Sequence, residues 1–178
     1  MEKKTDNRPV TERVKTFEDA CKELGINAEQ IQKKWKDAGL TEVDEVAYQK
    51  LRIITLALNE GWKPQFTEDE IRYTPWLVLY TKEEVENASE EEKEAYNLQL
   101  WLAGGASDYG AYCGLDFARS SAAWSITYAN FSARLAYKTR ELARYSGLQF
   151  TDLWANYTTG KEVKSWRNLS AQRRTTLW

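Results

Sequence analysis

The sequence predicts an α+β domain, with N-terminal helices, a small and mostly antiparallel sheet, and a C-terminal helix packed on it. Three observations carry that expectation. Before Gly61, apolar residues recur at helical spacing between capping residues and glycines. After Trp62 the pattern changes to β-branched and aromatic runs and to alternating leucines. From Thr139 a capped helical pattern returns. With 178 residues, 42% of them hydrophobic, the chain holds enough apolar material for one core.

Residues 1–14 are polar and read as a flexible lead. Residues 15–157 form a single α+β domain, helical over 16–61 and sheet-containing over 62–157. Thr16 opens the first helix, with Asp19 completing a partial capping box. Phe17, Ala20, Cys21 and Leu24 make its apolar stripe, and Gly25 ends it. Asn27 with Gln30 repeats the start signal, and Ile31, Trp35 and Ala38 line the second helix up to Gly39. Thr41 with Asp44 opens a longer helix whose inner face is Val43, Ala47, Leu51, Ile54 and Leu58.

Tyr73–Tyr80 reads as a strand with Pro75 near its start. Lys82–Glu94 is an acidic, solvated loop or one-turn helix. Leu98, Leu100 and Leu102 alternate as a half-buried strand. Cys113–Arg119 and Ser125–Lys138 read as two further strands joined by a turn at Ser120–Ala123. Thr139 caps a helix ending at Gly147, after which Leu148, Phe150, Leu153 and Trp154 pack back on the core. Residues 158–178 read as a basic tail, mobile or ordered only on a partner.

The charges nearly balance, with 25 Lys and Arg against 27 Asp and Glu. That disfavours nucleic acid as a partner of the whole surface. No apolar run approaches the roughly 18 residues of a membrane span, and the polar start carries no signal-peptide core. The expected location is the bacterial cytoplasm during infection or a phage particle. The chain has no histidine and two well-separated cysteines, Cys21 and Cys113. A zinc site and a histidine-assisted nucleophile therefore lack their residues. No P-loop, dinucleotide fingerprint or zincin motif occurs. The expectation is a protein without enzymatic activity, cofactor or metal. The only enzymatic alternative would use carboxylates such as Asp108 and Asp116, which read better as surface or turn residues.

One segment departs from the rest in composition. From Gly104 to Phe131 there is no Lys, Glu or Gln, and Ala, Ser, Tyr, Gly, Asp and Asn take their place. That is the palette of a binding surface, in which Tyr supplies rigid contact area and Ser, Gly and Asn adaptable hydrogen bonds. The same residues would arise from AAC or AAT codons with randomised adenines. Lys, Glu, Gln, Met and Trp are then unreachable, and only Trp124 breaks the rule. The competing explanation is a small-residue β-segment packed closely against a neighbour.

The run Asn130-Phe131-Ser132-Ala133-Arg134-Leu135-Ala136, preceded by Gly104-Gly105-Ala106-Ser107, resembles C-type-lectin-like variable domains diversified by retroelements. Ser132 stands where that family usually has Gly. The resemblance implies a C-type-lectin-like core, a closing strand at Arg134-Leu135-Ala136, and variable side chains forming a ligand-binding face. Phe17–Cys21, Ala57–Pro64 and Ser132–Ala143 also resemble small proteins of gut Bacteroidetes and their phages, which implies a phage or prophage origin.

Two binding functions follow as expectations. In the first, Ser107, Asp108, Tyr109, Tyr112, Cys113, Asp116, Phe117, Ser125, Thr127, Tyr128 and Asn130 contact a protein or glycan ligand, while Arg134 and Leu135 are scaffold. In the second, the protein is an intracellular counter-defence protein binding a small molecule such as a nucleotide signal, with a pocket at a homo-oligomer interface. There Trp76, Trp101 or Trp124 would stack on a base, and Arg119 or Arg134 would clamp a phosphate.

Overall fold

A computed structural model describes residues 7–65, 67, 69–80, 87, 89, 99–103, 114–124 and 133–165. The helices are α1 (Val10–Arg13), α2 (Phe17–Glu23), α3 (Ala28–Asp37), α4 (Val43–Leu58), α5 (Arg140–Gln149) and α6 (Thr151–Thr159). The strands are β1 (Ile71–Tyr80), β2 (Gln99–Ala103), β3 (Gly114–Trp124) and β4 (Val163–Ser165), in the order β1-β3-β2-β4. Every pairing is antiparallel. The α+β class is as the sequence predicts.

Local capping works largely as read. The Thr16 hydroxyl accepts from the Asp19 N–H, and the Asp19 carboxylate accepts from the Lys15 and Thr16 N–H groups. Asn27 Oδ1 accepts from the Gln30 N–H. Gly25, Gly39 and Gly61 all have positive φ, just past the ends of α2, α3 and α4. The third start signal is displaced by one residue: Glu42 occupies the N-cap of α4, with no side-chain bond.

The core is the meeting place of α1, α2, α4, α5 and α6. Phe17, Cys21, Leu51, Ile54, Leu58, Leu135, Phe150 and Trp154 are all buried in it. The flexible-lead reading is corrected for residues 10–14. Val10–Arg13 is one helical turn, and Val10 and Val14 are both buried. The Tyr145 hydroxyl donates to the Val14 carbonyl at 2.8 Å, and Gln149 donates to the Lys15 carbonyl at 2.9 Å. Two valines in a polar stretch are enough to dock it.

Four further expectations are corrected. Ser120–Ala123 is not a turn but the second half of β3, paired with Arg72–Pro75 of β1. The stretch has no Gly, Pro, Asn or Asp to make a turn, and its small residues stand opposite Tyr73 and Pro75. Pro75 is tolerated because β1 is an edge strand. Ala133–Leu135 is a 3-10 turn instead of a closing strand. Among the described residues of the expected strand 125–138, Tyr137 alone pairs, exchanging both backbone bonds with Tyr73; residues 125–132 lie outside the described residues. The neighbouring Ala136 carbonyl and Lys138 N–H are taken up by the Asn59 side chain, at 2.8 and 3.1 Å.

Third, α5 continues through Gly147 to Gln149, and α6 follows at once. Threonine usually disfavours helix. Here the Thr151, Thr158 and Thr159 hydroxyls each donate to the carbonyl four residues back, at 2.6–2.8 Å. Fourth, residues 158–165 of the proposed basic tail are ordered, the first two inside α6 and Val163–Ser165 at the sheet edge against β2; residues 166–178 lie outside the described residues.

A line of buried hydroxyls crosses this core. The Tyr137 hydroxyl donates to Ser146 Oγ at 2.6 Å and lies 2.9 Å from Thr55 Oγ1. Trp154 Nε1 donates to the same Ser146 oxygen at 3.1 Å. Burial pushes the Tyr137 hydroxyl up to about 12, and its two hydrogen bonds offset only part of that.

Candidate functional site

The composition-biased segment is threaded through the sheet. Residues 104–113 connect β2 to its antiparallel neighbour β3. β3 stands between β1 and β2, paired with β1 along its length and with β2 at Gly114 and Leu115. Asp116 stands opposite Val78, next to a register shift between Trp76 and Val78, and Phe117 lies within that irregularity. The segment re-enters the described residues at Ala133, one position before Arg134. Ser107, Asp108, Tyr109, Tyr112, Cys113, Ser125, Thr127, Tyr128 and Asn130 lie outside the described residues, as does most of the acidic stretch Lys82–Glu94.

The threading divides the candidate residues by position. Those up to Cys113 precede β3, and Ser125 follows it. The eleven residues of β3 span about 34 Å as extended chain. The small-residue explanation therefore accounts for the middle of the segment, where Ala and Ser of β3 pair closely with β1.

The aromatic residues expected to stack on a base are not gathered in one place. Trp76 is the direct cross-strand partner of Arg119. Trp124 stands opposite Ile71, at the far end of the β1–β3 ladder. Trp101 pairs with Ser165 on the other side of the sheet. Arg134, the alternative clamp, is elsewhere again. It lines a groove on the outer side of the helical half.

That groove, about 640 Å³ in volume, lies between α3, α4 and the chain following α4. Trp35 and Ile31 come from α3, and Arg52, Ile53 and Leu56 from α4. Trp62, Lys63 and Pro64 close one side, and Arg134 reaches in from the 3-10 turn. The placement follows from helix geometry. Leu51, Ile54 and Leu58 turn one face of α4 inward, so Arg52, Ile53 and Leu56 face outward. Leu56 remains 40% exposed, one of two large apolar side chains so exposed among the described residues.

The groove's polar groups are held from behind. Arg52 donates to Gln49 Oε1 at 3.0 Å, and its guanidinium lies 5.7 Å from the Tyr48 ring centroid. Trp35 packs on Phe17 with ring centroids 5.9 Å apart. The Trp62 N–H donates to the Asn59 carbonyl at 3.0 Å. Sequence reasoning missed Trp35, Arg52, Trp62 and Lys63 as site residues. Leu56 gave a signal, because it sets a large apolar side chain on the side of α4 away from the Leu51–Ile54–Leu58 stripe, beside Arg52.

A second charged cluster ties the helices together. Arg13 pairs with Glu23, and with Glu60 at 2.6 Å, while Lys138 reaches Glu60 at 3.4 Å. The Glu23 hydrogen bond pulls the Arg13 guanidinium above its ordinary value, and both glutamates add to that by charge. Its partners are all accounted for within the fold, which makes it a staple. Among the described residues, no group of three His, Cys, Asp or Glu is placed to hold a metal ion. No described helix is long and apolar enough to cross a membrane. No protein-family model, curated protein or solved structure matches the chain.

Proposed function

We propose that this is a non-enzymatic binding protein of phage or prophage origin, which uses the chain on either side of β3 to recognise a protein or glycan ligand. The observation that carries the reading is the contrast along one segment. Its middle is an interior strand, while residues 104–113 connect two neighbouring antiparallel strands. Ten residues between neighbouring antiparallel strands are more than a hairpin turn needs, and connecting segments carry a disproportionate share of binding residues. In the finer form of the proposal the sheet belongs to a C-type-lectin-like core. The expected setting is the bacterial cytoplasm during infection or a phage particle.

The test is sequencing of this gene across a natural population together with its DNA neighbourhood. The proposal expects changes concentrated in 106–113 and 125–132, starting from template adenines near a reverse-transcriptase gene. It also expects positions 114–124 to vary less, because they pair along the length of β1. An invariant segment with no template repeat would remove the diversified-receptor reading.

A further inference from the structure

We infer that the groove over α4 is a binding site for a small anion with a planar body, of the nucleotide class, separate from the recognition segment. Three features point to this ligand chemistry. First, the described lining holds three cations, Arg52, Lys63 and Arg134, and no carboxylate. The whole chain has more acidic than basic residues, whereas the charged side chains of the described lining are all cationic. A phosphate suits it, because guanidinium groups offer paired N–H donors to phosphate oxygens.

Second, the same groove presents two partly buried tryptophans, Trp35 and Trp62, and the exposed Leu56. Aromatic faces beside cations are what a base with an attached phosphate requires. Third, the site is braced before any ligand arrives. Gln49 and Tyr48 hold Arg52, and Phe17 backs Trp35. Pre-placed side chains lose less freedom on binding. The volume of about 640 Å³ lies within the range of small-molecule pockets.

The inference does not depend on the recognition segment. It is tested on the full chain by titrating adenosine 5′-diphosphate, guanosine 5′-diphosphate, adenosine and inorganic pyrophosphate, followed by calorimetry and tryptophan fluorescence. At least one diphosphate should bind saturably and quench fluorescence, and should bind at least about tenfold tighter than adenosine or pyrophosphate alone. Arg134→Gln and Lys63→Gln, both at exposed positions, should each weaken it by about tenfold. Trp62→Ala should weaken it by a similar factor and remove part of the quench. Lys33→Gln, outside the groove, should change nothing. Pyrophosphate binding as tightly as the nucleotides would overturn the planar part of the inference. No saturable binding at millimolar concentration, or binding indifferent to all three groove variants, would overturn it entirely.

Discussion

The two faces of α4 show how this protein separates stability from recognition. The inner face carries Ala47, Leu51, Ile54 and Leu58, all essentially inaccessible, and Thr55 joins the buried hydroxyl line. The hydroxyls of that line are satisfied by one another, and the apolar side chains around them are packed into the core. The outer face carries Arg52, Ile53 and Leu56, a mixture that water alone does not call for. One face is explained by the fold it holds together, and the other is left over once the fold is explained. Residual chemistry of that kind is where a ligand site is sought.

The comparison would break most visibly on its inner side. Trp154 is 2% exposed, touches the Ser146 hydroxyl and packs beside Tyr157. Trp154→Ala should cost about 3–5 kcal/mol, read as a lower urea midpoint at unchanged slope. Leu56→Ala on the outer face should stay within about 0.5 kcal/mol. Leu51→Ala on the inner face of α4, where the side chain is fully buried, should cost about 2–5 kcal/mol, and equal costs for Leu51 and Leu56 would mean that the two faces are not distinct.

Tyr137→Phe comes next, because it leaves the Thr55 and Ser146 hydroxyls without their shared partner. About 1–3 kcal/mol is expected. The same residue sharpens the comparison through pH. Its hydroxyl is raised from the ordinary 10.0 to about 12, so the neutral form is favoured by the fold. That contribution is complete below pH 10 and is lost as pH rises through 12. Alkaline unfolding of the wild type should steepen in that window, and Tyr137→Phe should flatten it.

The smallest effects belong to the periphery. Thr16→Ala removes half of the capping box and should cost about 1 kcal/mol. Partial burial pushes the Asp19 carboxyl up, but hydrogen bonds from Lys15 and Thr16 outweigh it and leave the group below its ordinary value of 3.8. The folded-state value is depressed, so its contribution is present above about pH 4 and lost as pH falls below it. Asp19→Asn should weaken that acid dependence in a melting series from pH 6 to 2.

The helical half was legible because its signals are local. Thr16, Asn27 and the positive-φ glycines act within one turn of where they stand, and the stripe on α4 is a period that any window reveals. The misreadings come from partners that the pattern does not show, some local and some tertiary. Gly147 looks like a stop, yet α5 passes through it and the Thr151 hydroxyl closes on its carbonyl. Ser120–Ala123 looks too plain for a strand, and becomes one because β1 supplies partners. The groove was illegible because it draws on residues 31 to 134, which sequence distance conceals. Arg134 was singled out, but as scaffold or as a clamp on a different set of tryptophans.

The separation of stability from recognition is tested most directly by a melting experiment on one multiply substituted chain. Ser107, Asp108, Tyr109 and Tyr112 would be changed together to Ala in the full-length protein. The account predicts a cooperative transition within a few degrees of the wild type, because the core that holds the fold is built from α1, α2, α4, α5 and α6. A lost or non-cooperative transition would contradict it, and would place these residues among the packing that makes the fold.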